Sequence, residues 1–169
     1  MHKKVKVKIT KKEMEYVVDL AKQRNQKEKR FGGKTYNDTM TAGNSHLIGL
    51  IGEFIAAKYL GVKVDDRIFA NKGDDGIDLV HPVHGNIAVK TTTYEDAWLR
   101  AEEKRNFDYL DMYILCYVSK DLKDTYLVGY VSRDKLHELC PVPKKLGRYL
   151  PPNRIAKSED LADPRELIA

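Results

Sequence analysis

A segment that is apolar on nearly every side of a helix constrains the fold of this chain more than any other feature. It covers residues 47–60 and reads LIGLIGEFIAAKYL. A surface helix needs only one apolar stripe, so this segment predicts a helix buried at the centre of a domain. Asn44 or Ser45 is its predicted N-cap, and Gly61 follows at the position where glycine commonly ends a helix.

A predicted hairpin follows this helix. Residues 77–80 and 86–92 have the composition of strands, and the turn His-Pro-Val-His-Gly joins them. A further strand is expected over residues 62–69. Later in the chain, residues 112–118 form a continuous apolar run that is typical of a strand buried on both faces, and residues 126–131 predict another strand.

The N-terminal part predicts a strand, a helix and a loop. Residues 5–9 alternate with lysine, as in a short strand at a sheet edge. Thr10 and Glu13 have the spacing of a capping box, so a first helix is expected to start near Lys11 and to reach the twenties. Its apolar stripe then fades, and residues 23–39 are predicted to form an exposed basic loop.

The remaining segments complete the predicted architecture. Residues 94–105 and 133–139 predict helices, and Ser132 is the predicted cap of the second. The order of helix, helix, three strands, helix, two strands and helix predicts one α/β domain in which a central mixed sheet is flanked by helices. Its three parts are a basic N-terminal region, a core and an irregular tail with a helical turn near 163–167; they cover residues 1–43, 44–139 and 140–169.

Composition agrees with one intracellular domain. The chain has 169 residues and is 42% hydrophobic, which is sufficient for a core. No run approaches the roughly 18 apolar residues of a membrane span, and the N-terminus lacks the apolar region of a secretory signal. Cys116 and Cys140 lack metal-type spacing, so both are expected to be reduced thiols, which predicts a cytoplasmic location.

Charge is unevenly distributed along the chain. Residues 1–36 hold twelve Lys or Arg and four acids, a net charge of +8, whereas the remainder carries −3. A basic arm is typical of proteins that bind a polyanion, although a lysine-rich solvated face gives the same pattern. The basic residues that we predict to contact nucleic acid in this region are Arg24, Lys27, Lys29, Arg30 and Lys34.

Three ionisable residues of the helix and the hairpin suggest a metal-assisted site. Glu53 lies within the apolar helix, Asp78 ends the polar turn GDDGID and leads into Leu79 and Val80, and Lys90 follows the apolar residues of the second strand. Carboxylates on neighbouring elements can hold Mg²⁺, and a lysine beside them can orient a water. This set is the minimum that hydrolysis of a phosphodiester requires.

At this point the sequence resembles the PD-(D/E)XK nuclease superfamily. Three motifs carry the resemblance: GEFIAAKYLG at residues 52–61, GDDGIDL at 73–79 and AVKTT at 88–92. Together with the later strands, the similarity covers roughly residues 44–139. It implies a restriction-endonuclease-like core and a Mg²⁺-dependent endonuclease that hydrolyses phosphodiester bonds in DNA, with Mn²⁺ as a substitute metal. It also implies a homodimer if both strands of a duplex are cut.

The resemblance implies a role for each matching residue. Asp78 would be the central metal ligand, Lys90 would stabilise the attacking water or the phosphorane, and Glu53 would bind the metal directly or through water. The sequence departs from the family at Ala88, where a Glu, Asp or Gln usually stands two residues before the lysine. His46, seven residues before Glu53, and the Ala88 backbone carbonyl are further candidate metal ligands.

Residues near this site have both a functional and a purely structural interpretation. Thr91 and Thr92 suit hydroxyl contacts to phosphate, and equally suit a strand through β-propensity. Arg100 and Trp98 are candidates to flank the substrate, although Trp98 is more often a packing residue. Asp74 and Asp75 could add a carboxylate to the site but are typical turn formers.

The substitution at Ala88 leaves a second hypothesis open. A nuclease-like protein that lacks one acid could bind nucleic acid, or a protein partner, without cutting it. A small-molecule enzyme is a weaker third hypothesis, because the chain has no P-loop and no Gly-rich dinucleotide fingerprint.

Overall fold

The computed structural model describes residues 3–30, 40–63 and 76–169. In these ranges the helices are α1 (Lys11–Arg30), α2 (Met40–Leu60) and α3 (Arg133–Leu139). The strands are β1 (Val5–Lys6), β2 (Leu79–His81), β3 (Gly85–Thr92), β4 (Leu99–Glu102), β5 (Met112–Val118), β6 (Thr125–Ser132), β7 (Lys144–Lys145) and β8 (Pro152–Ala156). Single turns of 3-10 helix occur at Glu103–Arg105, Ser158–Asp160 and Pro164–Leu167.

Within the described residues, the strands form two sheets. The larger sheet has the order β1-β6-β5-β3-β2, and β3 runs parallel to β5 while the other neighbours are antiparallel. The smaller sheet has the order β4-β8-β7 and is antiparallel. The predicted α/β class with a mixed sheet is therefore confirmed.

Helix α2 lies in the core, as its apolar sequence predicts. Ile51, Ile55 and Ala56 are fully buried, in one cluster with Ile87 and Ile114 of the larger sheet. The helix is covered on the sheet side and by α1, which explains why apolar residues occur around most of its circumference. In the part of the chain that the structure describes, no helix is both long and apolar enough to cross a bilayer.

The first helix starts as predicted and ends later. The Thr10 backbone N–H donates to Glu13 Oε1 at 2.9 Å, and the Glu13 N–H donates to Thr10 Oγ1 at 3.1 Å, which confirms the capping box. The predicted loop over residues 23–39 is wrong as far as Arg30, because α1 continues to that residue. Gln, Lys, Arg and Glu are good helix formers, and no Gly or Pro interrupts them before Gly32.

The bounds of α2 differ from prediction at one end only. The helix begins at Met40, so Asn44 and Ser45 lie inside it and are not caps. Its C-terminus is confirmed: Gly61 has a φ of 71°, and the Val62 N–H donates to the Ala57 carbonyl at 3.0 Å. Glycine favours this left-handed conformation because it has no Cβ.

The sequence predicted four further features correctly, with bounds that differ by one or two residues: the hairpin, β5, β6 and α3. Ser132 Oγ accepts the Lys135 N–H at 3.0 Å and caps α3, as predicted. Most of the strand predicted over 62–69 lies outside the described residues, and Val62 and Lys63 are not in a strand.

Residues 94–105, predicted as a helix, instead contain β4 and a 3-10 turn. Leu99 and Ala101 point inward and are almost fully buried, while Arg100 between them is exposed, the alternation of a half-buried strand. The partner strand is β8, from the tail that the sequence analysis left irregular. That part of the prediction is also wrong, whereas the helical turn near 163–167 is present as Pro164–Leu167.

Hydrogen bonds from Arg154 connect β8 to the turn that follows β4 and to the segment that follows α3. Arg154 on β8 donates to Glu103 through Nε at 2.7 Å and through Nη2 at 3.1 Å. Its Nη1 donates to the backbone carbonyls of Cys140 and Pro141. The Arg154 side chain is only 11% exposed, so its charge depends on these acceptors.

We expect Gly49→Ala and Gly52→Ala to change stability in opposite directions. A Cβ at Gly52 would overlap Thr91 Oγ1 and would lie 3.0 Å from Thr91 Cβ, whereas a Cβ at Gly49 meets nothing within 4 Å. Gly52→Ala should therefore lower the free energy of unfolding by about 1–3 kcal/mol. Gly49→Ala should raise it by up to about 1 kcal/mol through helix propensity. Urea denaturation of both variants checks this, and a Gly52→Ala protein as stable as wild type would contradict the packing.

We expect Glu103→Gln to lower the free energy of unfolding at neutral pH by about 1–3 kcal/mol, because it weakens charged hydrogen bonds to Arg154. The hydrogen bonds from Arg154 lower the Glu103 pKa from its ordinary 4.5, although burial acts to raise it. A carboxyl with a lowered folded pKa stabilises above its unfolded pKa and loses that contribution as pH falls through the folded pKa. The difference between variant and wild type should therefore shrink below about pH 4.5.

Glu102→Gln is the matched control for this experiment. Glu102 pairs with Lys104 at 3.8 Å and Arg105 at 3.9 Å, and all three side chains are well exposed. Its loss should cost less than about 1 kcal/mol. Equal effects of the two substitutions would show that the Glu103–Arg154 pair stabilises the fold no more than an exposed ion pair does.

Candidate functional site

Asp78 lies directly before β2, whose first residue, Leu79, pairs with Ile87 of β3. Its backbone N–H donates to the Ile87 carbonyl at 2.9 Å, and its carboxylate Oδ2 accepts the Val89 N–H at 2.7 Å. The side chain therefore continues the hydrogen bonding to β3 at the point where regular pairing begins with Leu79. This contact holds the half-buried carboxylate against β3, one residue before Lys90.

Lys90 is directed to the face of the larger sheet that lies opposite α2. Its neighbour Thr91 packs against Gly52 of α2, and side chains alternate along a strand, so Lys90 projects to the other side. Lys90 is partly exposed there. The carboxylate of Asp78 and the ammonium of Lys90 thus come from adjacent positions at one edge of β3.

Ala88 occupies a core position. It is 2% exposed and belongs to a buried cluster with Leu99, Tyr113 and Leu115 on the face opposite α2. An acid at this position would enter that cluster, so the alanine fits the packing of this chain. Ala88 is thus buried beneath residues of the smaller sheet.

The backbone carbonyl on the Asp78 side is that of Val89 rather than that of Ala88. The Asn86 carbonyl accepts the Asp111 N–H beside β5, and the Ile87 carbonyl accepts the Asp78 N–H beside β2. Because successive carbonyls of a strand point to opposite neighbours, the Ala88 carbonyl is directed towards β5. This placement does not support the prediction that it binds a metal with Asp78.

Glu53 is mostly buried on the α2 side and carries an arginine partner. Its Oε2 lies 3.5 Å from Arg24 Nη1, and its side chain is 17% exposed. It also lies near Cys116, whose pKa is raised first by burial and then by the Glu53 carboxylate. Lys58, the basic residue in the last turn of α2, pairs with Glu13 at 2.8 Å.

The pairing changes the interpretation of Arg24. It was predicted to bind nucleic acid, but its guanidinium contacts Glu53 and connects α1 to α2. The structure therefore gives Arg24 an internal electrostatic role. Glu53 and Lys90 come from opposite sides of the larger sheet, because Lys90 projects away from α2.

The other predicted residues are scattered. His46 is exposed on α2, and Arg100 is exposed on β4. The positions of Lys27, Lys29 and Arg30 lie on the last turns of α1, while Lys34, Asp74 and Asp75 lie outside the described residues. The structure thus places the Asp78 carboxylate against Val89, the residue before Lys90 in β3.

The two threonines after Lys90 point to opposite faces. Thr91 Oγ1 is buried against α2 without a hydrogen-bond partner, so the prediction that it contacts phosphate does not hold in this structure. Thr92 Oγ1 accepts the Tyr94 N–H at 3.1 Å and lines a groove on the face of Lys90. Only Thr92 retains access to a ligand.

Magnesium was the predicted cofactor, and Asp78 is the residue that fits it best. Hard cations prefer carboxylate and carbonyl oxygens, and the Asp78 carboxylate and the Val89 carbonyl lie on the same side of β3. Over residues 3–30, 40–63 and 76–169, no group of three or more His, Cys, Asp or Glu side chains is placed to hold a metal ion.

Two aromatic residues, Tyr94 and Trp98, line the groove beside Thr92. Trp98 was favoured as a packing residue, and Tyr94 was not singled out. Both are exposed, at 44% and 67%, on the segment between β3 and β4. Aromatic residues in a polar stretch were the available signal, but the false helix prediction for residues 94–105 obscured their common direction.

We expect Asp78→Ala to destabilise the hairpin and Asp78→Asn to preserve it. Alanine removes the acceptor of the Val89 N–H, which should lower the free energy of unfolding by about 1–3 kcal/mol. Asparagine keeps an oxygen in the same place, so its cost should be less than half as large. Thermal unfolding of both variants measures the difference. Equal stability of the two would show that the carboxylate has no structural role.

Comparison with known proteins yields one partial similarity. The chain is 26% identical over 97 residues to a protein of Bacillus subtilis (strain 168) named "Uncharacterized protein YnaC". The alignment covers 57% of this chain and 34% of that protein, so the chain spans about a third of the relative's length. No protein-family model matches the chain, and no solved structure matches it.

Proposed function

We propose that this protein is a metal-dependent nuclease that hydrolyses phosphodiester bonds in DNA at the junction of β2 and β3. Magnesium is the proposed cofactor, with manganese as a substitute, and an endonuclease is the proposed class. The proposal includes a homodimer for cleavage of both strands of a duplex, because each chain offers one such junction. A cytoplasmic location stays a prediction.

The adjacency of Asp78 and Lys90 carries the proposal. The Val89 N–H holds the Asp78 carboxylate at 2.7 Å, and Lys90 is the next residue on the same strand. A phosphodiester needs both charge neutralisation and a positioned water before it can be hydrolysed. An acid and a lysine on a rigid strand pair are suited to these two tasks.

The proposed roles follow from the chemistry of each side chain. A bound magnesium ion would supply Lewis acidity towards a phosphate oxygen and lower the pKa of a bound water. Asp78 would hold the cation through its carboxylate, and the Val89 carbonyl would be a second oxygen donor. Lys90, which is partly exposed, would donate hydrogen bonds to the phosphate or to the attacking water.

The architecture around this junction supports a restriction-endonuclease-like core as part of the proposal. Helix α2 packs on the hairpin of β2 and β3, β5 lies parallel to β3, and β6 returns antiparallel. These elements correspond to the helix, hairpin and later strands from which the resemblance was drawn. They place the two residues at an exposed edge of β3.

A second candidate function is nucleic-acid binding without cleavage. Two observations favour it: Ala88 lies in the core where an acid would normally contribute to the metal site, and Glu53 is engaged by Arg24. A protein of this kind would retain the fold and the basic N-terminal helix but lack turnover. Binding to a protein partner instead of nucleic acid is another form of this candidate.

A cleavage assay with Mg²⁺ or Mn²⁺ on linear, circular and single-stranded DNA tests the proposal. We expect wild type to cut at least one of these substrates and EDTA to abolish cutting. Asp78→Asn should reduce the rate by at least about 100-fold, because it removes the charge that holds the cation while keeping the hydrogen bond to Val89. Lys90→Met should reduce the rate by about 100-fold or more through loss of the donor.

Lys145→Ala is the matched control. Lys145 is an exposed lysine on β7, in the smaller sheet, and its substitution should leave cleavage unchanged. Cleavage that survives both Asp78→Asn and Lys90→Met would overturn the assignment of the site. A stable wild-type protein that binds DNA and does not cut it with either metal would favour the second candidate.

A further inference from the structure

A groove lies on the face of the larger sheet opposite α2, beyond the C-terminal end of β3. It has a volume of about 500 Å³. Thr92, Tyr117 and Val128 line it from the larger sheet, residues 94–98 line it from the connection to β4, and residues 157–159 line it after β8. The N-terminal residues Lys3 and Lys4 also line it.

Two exposed aromatic side chains face this groove. Trp98 is 44% exposed and Tyr94 is 67% exposed, and both lie on the segment that leaves β3. The backbone of Asp96 between them has a φ of 59°, the left-handed conformation that Asp tolerates better than most residues. The turn brings both aromatic residues to the same groove as Thr92.

A lysine ammonium group lies over one face of each aromatic ring of this region. Lys157 Nζ is 5.7 Å from the centroid of the Trp98 ring, and Lys120 Nζ is 5.5 Å from that of Tyr94. Lys4 Nζ is 5.5 Å from the Tyr117 ring. Alternation of aromatic faces with ammonium groups is the arrangement by which proteins bind the bases and phosphates of a single strand.

Acidic residues limit which polyanion fits. Glu95, Asp96 and Glu159 also line the groove, so its charge is mixed rather than uniformly positive. Lys3 is engaged with the protein itself, because its Nζ donates to the backbone carbonyls of Glu159 and Leu161. The lining therefore suits a ligand that presents an aromatic ring to Trp98 and a few phosphates to the remaining lysines.

The position of the groove relates it to the proposed site. Thr92 lies two residues beyond Lys90 and on the same face of β3, a distance of roughly 7 Å along a strand. This is close to the separation of successive phosphates in an extended single strand. A strand bound at Lys90 could therefore continue directly into the groove, and this step rests on the proposed function.

We propose that the groove binds single-stranded DNA, with unpaired bases stacked on Trp98 and Tyr94 and phosphates beside Lys157 and Lys4. The faces of bases within a duplex are covered by their neighbours, so only an unpaired strand can stack on these rings. The preferred substrate of the proposed nuclease then has a single-stranded segment next to the bond that is cut.

Trp98 is the only tryptophan of the chain, so its fluorescence reports directly on this contact. The experiment titrates the full chain, in EDTA, with a short oligothymidine, a blunt duplex of equal length and thymidine monophosphate. We expect the oligothymidine to quench Trp98 emission strongly at saturation. We expect the duplex and the mononucleotide to quench weakly at the same nucleotide concentration.

Variants measured by anisotropy of a labelled oligothymidine complete the test. Trp98→Ala should weaken binding roughly 5-fold or more, whereas Trp98→Phe, which keeps an aromatic face, should retain most of the affinity. Lys157→Ala should reduce the magnitude of the salt slope by roughly 0.7, the value for one phosphate contact in a single strand. Circular dichroism of each variant verifies the fold.

Tyr149→Ala is the matched control. Tyr149 is 89% exposed with Arg148 positioned 5.7 Å from its ring centroid, and Tyr149 is not among the groove residues. Its substitution should leave the affinity unchanged. Equal affinity of Trp98→Ala and wild type, or saturation by oligothymidine without a change in Trp98 emission, would overturn the proposal.

The other two ligands also test the proposal. Quenching by the duplex as strong as by the single strand would overturn the preference for unpaired bases, and equally tight binding of the mononucleotide would overturn binding of a strand. EDTA suppresses cleavage throughout, so a failure of the groove appears as lost binding. A failure of the proposed nuclease appears separately, as an absence of metal-dependent cutting.

Discussion

The close contact between Gly52 of α2 and Thr91 of β3 organises this structure. The side chain of Thr91 lies where a Cβ of residue 52 would be, so the helix can approach the centre of the larger sheet only because glycine is present. The contact also decides which side chains of β3 face the helix. Ile87 and Val89 join the helix cluster with Thr91, and the alternate residues are left for the other face.

The opposite face performs different tasks along its length. At Ala88 it is covered by residues of the smaller sheet, at Lys90 it is partly open, and at Thr92 it borders a groove. The smaller sheet packs against the larger one through apolar contacts, and Arg154 of β8 donates to the Cys140 and Pro141 carbonyls after α3. On this face of β3, side chains therefore change from fully buried to partly exposed within the five residues from Ala88 to Thr92.

Asp78 combines structure and proposed chemistry in one carboxylate. Its acceptance of the Val89 N–H keeps β2 and β3 together up to the point where the chain leaves the sheet. The same hydrogen bond prevents the carboxylate from rotating freely and thereby prepares it to hold a cation. Glu53 pairs with Arg24, which comes from α1.

Local patterns predicted the elements whose causes are local. The capping box of Thr10 and Glu13, the burial of α2, the run of β5 and the cap of α3 depend on residues close together in sequence, and each was predicted. The adjacency of Asp78 and Lys90 also followed from a short hairpin. Periodicity and capping were sufficient there because each residue's partner lies within a few positions or in the neighbouring strand.

Other features depend on residues that are far apart in sequence, and only the tertiary structure decided these. Residues 99–102 are a strand because they pair with residues 153–156, and no local pattern indicates a partner that far along the chain. The engagement of Glu53 by Arg24 and the burial of Ala88 likewise depend on other elements. The sequence by itself determined the core helix, the hairpin and the pair of Asp78 and Lys90. The groove beside them was decided by tertiary structure, because residues 94–98 and 157–159, which are far apart in sequence, meet there.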